Sequence, residues 1–157
     1  MSFPARGLFA ADASQIPAGT FYTTGGVWYL SVDANQGNPG GMSAVVLTGQ
    51  GKGGFVPQPY GTATFIGGDY FVDVRVPAID ATASTDAPWL PALFLGSELT
   101  IFSKWLGNER LFTLAGRATQ GVEVAPDRRR FVKWEGWLSH KDGRTIGDLP
   151  LFTVEAE

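Results

Sequence analysis

The strongest constraint in this chain is a run that occurs twice. Gly19-Thr20-Phe21-Tyr22-Thr23-Thr24-Gly25-Gly26-Val27-Trp28-Tyr29-Leu30-Ser31-Val32 is matched by Gly61-Thr62-Ala63-Thr64-Phe65-Ile66-Gly67-Gly68-Asp69-Tyr70-Phe71-Val72-Asp73-Val74. In each copy a β-prone run meets a glycine turn and returns as a second β-prone run. That pattern predicts a duplicated β-hairpin, over about 20–33 and 62–76. The spacing between the copies matches a propeller blade in length. Two copies fall short of the four or so blades a propeller needs, so duplicated hairpins within one sandwich fit better.

The remainder of the chain extends the β reading. Tyr70, Val72, Val74 and Val76 alternate with Asp69, Phe71, Asp73 and Arg75, as a strand with one buried face requires. Further strands are predicted at Ser43–Thr48, Leu99–Leu106, Arg110–Thr119, Val122–Val124, Phe131–Ser139 and Arg144–Val154. A turn is predicted at Gly107-Asn108, and a two-residue type I′ turn at Lys141-Asp142-Gly143-Arg144. Residues 33–41 and 49–54 read as loops, and the Pro-containing stretch 77–92 as the crossover between two sheet halves. No window of more than about ten residues carries a helical apolar stripe free of Gly and Pro, so at most one short helix is expected. The fold class is therefore all-β: a single-domain antiparallel sandwich or barrel, residues 19–157, preceded by an N-terminal arm, residues 1–18.

Composition limits the chemistry. Apolar residues make up 44% and charged residues 17% of the 157, which argues against disorder. The net charge of −3 gives no general attraction to nucleic acid or membranes. With 0 Cys, thiol nucleophiles, disulfides and Cys-ligated metals are excluded. No run approaches the roughly 18 apolar residues of a membrane span, and no secretory signal is visible. The expectation is a protein made in the cytoplasm without a signal peptide.

Each candidate chemical motif lacks its context. Gly49-Gln50-Gly51-Lys52-Gly53-Gly54 resembles a phosphate loop only superficially. Its glycine spacing is short, it lacks the Ser or Thr that holds magnesium, and Phe55-Val56-Pro57 cannot start a helix. His140, the sole histidine, falls in a predicted turn and reads as a solvated side chain. Asp69 and Asp73 stand about 13–14 Å apart along a strand, too far for a glycosidase pair. Asp127-Arg128-Arg129-Arg130, followed by Phe131, Trp134 and Trp137, is the best local case for single-stranded nucleic acid. The acidic total and the lack of a second basic cluster count against it. An edge strand there explains the pattern better, with Val132, Trp134 and Leu138 inward and Lys133, Glu135 and Trp137 outward. No catalytic, cofactor-binding or metal-binding residues, and no cofactor, are expected.

These observations point to a non-enzymatic structural protein acting through protein–protein contacts, with copies of itself or other virion proteins as partners. A phage capsid decoration or tail component has this general character. The expected contact residues are Phe3, Leu8 and Phe9 of the arm together with Arg128, Arg129, Arg130 and Trp137. The 35–41 and 49–60 loops and the 127–137 region belong to the same expectation. The alternative is a carbohydrate-binding sandwich using Tyr60, Trp89 and Trp137 as sugar platforms, since an aromatic face suits a pyranose. A β-barrel hydrolase or isomerase is the second alternative.

Overall fold

The computed structural model describes residues 5–34, 41–76, 93–95, 99–105, 108–119, 129–131 and 133–155. Among them are fourteen strands and two three-residue 3₁₀ turns, Ala5–Gly7 and Ala13–Gln15. The all-β, antiparallel expectation holds. The predicted strand at Val122–Val124 and the crossover at 77–92 lie outside the described residues.

Six strands form the first sheet: β1 (Leu8–Asp12), β2 (Phe21–Thr24), β3 (Val27–Val32), β4 (Ser43–Val46), β5 (Phe55–Val56) and β6 (Thr62–Ile66). Their order is β1-β6-β2-β3-β4-β5. A three-stranded sheet has β7 (Tyr70–Arg75) and β14 (Phe152–Glu155) on either side of β13 (Lys133–His140). Five strands form the last: β8 (Leu93–Leu95), β9 (Leu99–Trp105), β10 (Asn108–Thr113), β11 (Ala118–Thr119) and β12 (Arg129–Phe131), in the order β11-β10-β9-β8-β12.

The first predicted hairpin forms and the second does not. β2 and β3 pair across Gly25-Gly26, with Thr24 opposite Val27. Both glycines have positive φ, 59° and 80°, as a type I′ turn demands. In the second copy only Gly68 is left-handed, at 67°, and the turn lengthens to Gly67-Gly68-Asp69, closed by Tyr70 N–H to Gly67 O at 3.2 Å. The two strands then part. β6 has β2 on one side and β1 on the other, so neither edge is left for β7. β7 pairs instead with β13, from Tyr70 opposite His140 to Arg75 opposite Glu135.

The N-terminal arm also differs from expectation. Leu8 and Phe9 belong to β1, opposite Ile66 and Phe65. Their strand comes from the edge of β6, which supplies the ladder that the local sequence does not announce.

Three predicted strands are broken, the one at Phe131–Ser139 because Phe131 ends β12 in the five-stranded sheet while β13 starts at Lys133 in the three-stranded sheet. β10 ends at Thr113, and a turn at 114–116 sends β11 back along it, closed by Thr113 N–H to Arg117 O at 2.8 Å. Beyond His140 the loop has three residues rather than two, because His140 N–H donates to Arg144 O and Gly143 N–H to His140 O, each at 2.9 Å. The chain then leaves β13 between Ile146, whose N–H donates to Leu138 O, and Leu151, whose N–H donates to Gly136 O. Gly147 and Pro150 fall in that excursion, and proline has no N–H for a ladder.

The core lies where the three sheets meet. Phe21, Leu30, Val32, Val45 and Leu47 come from the six-stranded sheet or its margin, and Ile101, Phe112 and Phe131 from the five-stranded sheet. The three-stranded sheet adds Trp134, Phe152 and Val154. Val72, Val74 and Val76 pack against this cluster, as their alternation predicts. Phe152 gathers three rings: Trp28 at 5.0 Å, Phe21 at 5.6 Å and Trp134 at 5.9 Å.

Main-chain hydrogen bonds join the six- and five-stranded sheets. Lys104 N–H donates to Gly53 O at 2.9 Å, and the buried Ser103 hydroxyl donates to the same carbonyl at 3.1 Å. The glycine loop at 49–54 is thus a structural joint. A second joint is Asp33 N–H to Gly116 O at 2.7 Å.

Candidate functional site

The outer face of the six-stranded sheet carries a row of rings in register. Tyr29 stands opposite Tyr22 on β3 and β2, Tyr22 opposite Phe65 on β6, and Phe65 opposite Phe9 on β1. Tyr22 and Tyr29 stack at 5.1 Å, and Phe65 and Phe9 at 5.5 Å. Cross-strand aromatic pairs of this kind each add some tenths of a kcal/mol to about 1 kcal/mol. Ala11, Ala13, Ile16, Ala44 and Ala63 pack around the Tyr22 end, so it is buried. The row ends at Phe9, which is 42% exposed, on a strand that is last in its sheet.

Within this row the Tyr22 hydroxyl is buried and has no hydrogen-bond partner among the described residues. Burial is the leading cause that pushes its phenol well above the ordinary 10, with the charge of nearby Tyr29 adding to it. An unsatisfied buried hydroxyl costs about 1–3 kcal/mol. Tyr22→Phe is therefore expected to raise stability by about 1 kcal/mol, read as a higher urea midpoint at neutral pH. The sign at high pH follows. The unfolded chain releases the phenol proton near 10 and the folded chain only above that, so stability falls as pH rises past 10. Tyr22→Phe removes its share of that fall. A lower midpoint for the variant at neutral pH would show that the hydroxyl has a partner.

The expected contact residues that are described fall on three different sheets. Phe3, Arg128 and Trp89 lie outside the described residues. Leu8 and Phe9 sit together on β1, Leu8 half-buried. Arg129 and Arg130 lie on β12, opposite Leu95 and Phe94 in the five-stranded sheet. Trp137 is on β13 in the three-stranded sheet, its Nε1 donating to Glu135 Oε1 at 3.3 Å. One face of its indole is occupied, because the Arg75 guanidinium lies 5.1 Å from the ring centroid. Arg75 is held there by Asp73, Nε to Oδ2 at 2.8 Å, and by the Thr145 hydroxyl at 2.6 Å. Tyr60 is 90% exposed and stands in the loop between β5 and β6 of the six-stranded sheet, whereas Trp137 is on the three-stranded sheet. Among the described residues the contact set is thus divided among three sheets, and Tyr60 and Trp137 belong to different parts of the fold.

His140 is half-buried, edge-on to Tyr70 at 4.9 Å, and its Nδ1 accepts the Asp142 N–H at 3.1 Å. Beside it Asp142 accepts the Arg144 N–H at 2.9 Å and the Arg144 Nε–H at 2.6 Å, and these bonds hold its carboxyl below the usual range. The histidine thus braces a turn.

A cleft of about 470 Å³ runs between β7 and the start of β2, lined among others by Phe21, Ile66, Phe71, Asp73, Leu99 and Leu114. Phe71, 44% exposed, went unmarked in the sequence because it reads as one more outward position on an alternating strand. The aromatic row also went unmarked. Its members are near neighbours in sequence only within the first hairpin, and the rest is created by register. Among the described residues no helix is long and apolar enough to cross a membrane. No protein-family model, curated protein or solved structure matches the chain.

Proposed function

We propose that this protein is a structural subunit that acts through protein–protein contacts, in keeping with a virion component such as a capsid decoration or tail protein. One observation carries the reading: the six-stranded sheet ends in β1, whose stretch Leu8-Phe9-Ala10-Ala11 bears no charge and no proline and leaves Phe9 exposed. Sheet edges that must stay free are guarded by Lys, Pro, bulges or very short strands. An edge strand charged only at its last residue, Asp12, and bearing at Phe9 a ring continuous with a buried aromatic row, suits a contact that assembly covers. Light scattering on eluting protein and negative-stain microscopy test this. Dimers, rings or lattice pieces are expected, together with capsid or tail genes beside its own. A monomer at every concentration that associates with no particle would overturn the reading.

A further inference from the structure

The edge itself specifies its partner. We propose that β1 pairs antiparallel with β1 of a second copy across a two-fold axis at Phe9, joining two six-stranded sheets into one. This rests on the assembly reading above and names the surface.

The main-chain polarity of β1 sets the possible registers. Gly67 N–H donates to Gly7 O and Ala13 N–H to Gly61 O, so the odd-numbered residues of this strand bond towards β6. Alternation then turns the N–H and C=O groups of Leu8, Ala10 and Asp12 outward, where no described strand meets them. In an antiparallel pair centred on Phe9, Leu8 of one copy exchanges both hydrogen bonds with Ala10 of the other, and the reverse holds. Phe9 faces Phe9 of the partner copy as a non-hydrogen-bonded pair, the type with the closer side chains.

Side chains favour this register over the neighbouring one centred on Ala10. It brings Arg6, exposed just before the strand, towards Asp12 of the partner copy at both ends. The register centred on Ala10 would set Leu8 against that carboxylate. Asp12 is ionised in the ordinary range, since the Ser14 hydroxyl at 2.6 Å and the Ser14 N–H at 3.0 Å lower its pKa. A two-fold axis normal to the sheet also keeps the same face up in both copies. The row Tyr29, Tyr22, Phe65, Phe9 then runs on into Phe9, Phe65, Tyr22, Tyr29 of the partner.

The whole chain, with 0 native Cys, allows a clean test. Sedimentation of the wild type should give the mass of two chains or of a larger assembly built from such pairs. Ala10→Pro removes only an outward N–H, so its thermal melt should match the wild type while association weakens at least about tenfold. Under mild oxidation Phe9→Cys should form a disulfide-linked dimer, because paired positions at that spacing suit the bond. Ala10→Cys, facing Leu8 of the partner, should not. Assembly that survives Ala10→Pro, or equal cross-linking at both positions, overturns this interface and leaves the assembly reading standing. A wild type that stays monomeric and binds no particle overturns both.

Discussion

Replacing Gly116 with alanine is expected to cost on the order of 3–5 kcal/mol, as the sum of a left-handed backbone and a blocked close approach. Gly116 has φ +82°, and its N–H donates to Thr113 O at 2.8 Å to close the turn between β10 and β11. A Cβ there would lie 2.5 Å from Gly19 N, 2.7 Å from Ser31 O and 2.9 Å from Ala18 Cβ. The first two are backbone atoms joined to each other, since Gly19 N–H donates to Ser31 O at 2.8 Å. A methyl group can enter only by breaking that bond or by lifting Gly116 away from Asp33, whose N–H it accepts at 2.7 Å. The first movement loosens the entry to β2 from β3, and the second opens the joint between the six- and five-stranded sheets. At this chain length the expected loss corresponds to roughly 10 °C in thermal midpoint. Gly26→Ala separates strain from clash. Gly26 has nearly the same φ, +80°, and nothing within 4 Å of its would-be Cβ. It should cost only about 1–2 kcal/mol. Equal losses at the two positions would show that Gly116 is not in close contact with β3.

The comparison of the two glycine turns also shows why one hairpin was legible and the other was not. Composition reports that Gly25-Gly26 and Gly67-Gly68-Asp69 can each reverse the chain. It does not report whether the strands on either side remain free to pair. β6 is claimed by β1 and β2, and β7 finds β13 sixty to seventy positions away in sequence. That competition is between whole strands, so the local match of the two copies is silent about it. Faces were easier. The outward Phe71, Asp73 and Arg75 and the inward Val72 and Val74 follow from period two alone, whatever the partner strand.

The candidate edge was legible in residue identity and illegible in form. Leu8 and Phe9 stood out as apolar residues near the chain start, and the structure leaves Phe9 exposed. Leu8-Phe9-Ala10-Ala11 has no alternation to mark it as a strand. Its ladder is lent by β6, and its aromatic continuity comes from three separate registers. Trp137 shows the converse. Its outward position was predicted correctly, yet an open face was not, because Arg75 reaches it from the neighbouring strand.

Trp134→Ala is expected to cost about 3–5 kcal/mol, the range for removing a large buried aromatic side chain. Trp134 has no exposed surface, stands opposite Val154 in β14, and meets Phe152 edge-to-face at 5.9 Å. It lies on the central strand of its sheet, so β7 and β14 depend on the strand that carries it. The neighbouring packing has little room to collapse into the space. A Cβ at Gly136 would already collide with the Phe152 ring, and Phe152 is in turn fixed by Phe21 and Trp28. The lost ring therefore leaves a cavity that adds to the transfer loss. Trp137 offers the contrast three positions on. Its indole is half-buried and contacts the Arg75 guanidinium, an exposed cation–π contact of about 0.5–1 kcal/mol. Trp137→Ala should thus cost about 1–2 kcal/mol, counting the apolar area it still covers. Urea melts followed by far-ultraviolet dichroism measure both without relying on the removed fluorophore. A Trp137→Ala loss equal to or larger than that of Trp134→Ala would reverse the faces of β13 and remove the core from where it is placed here.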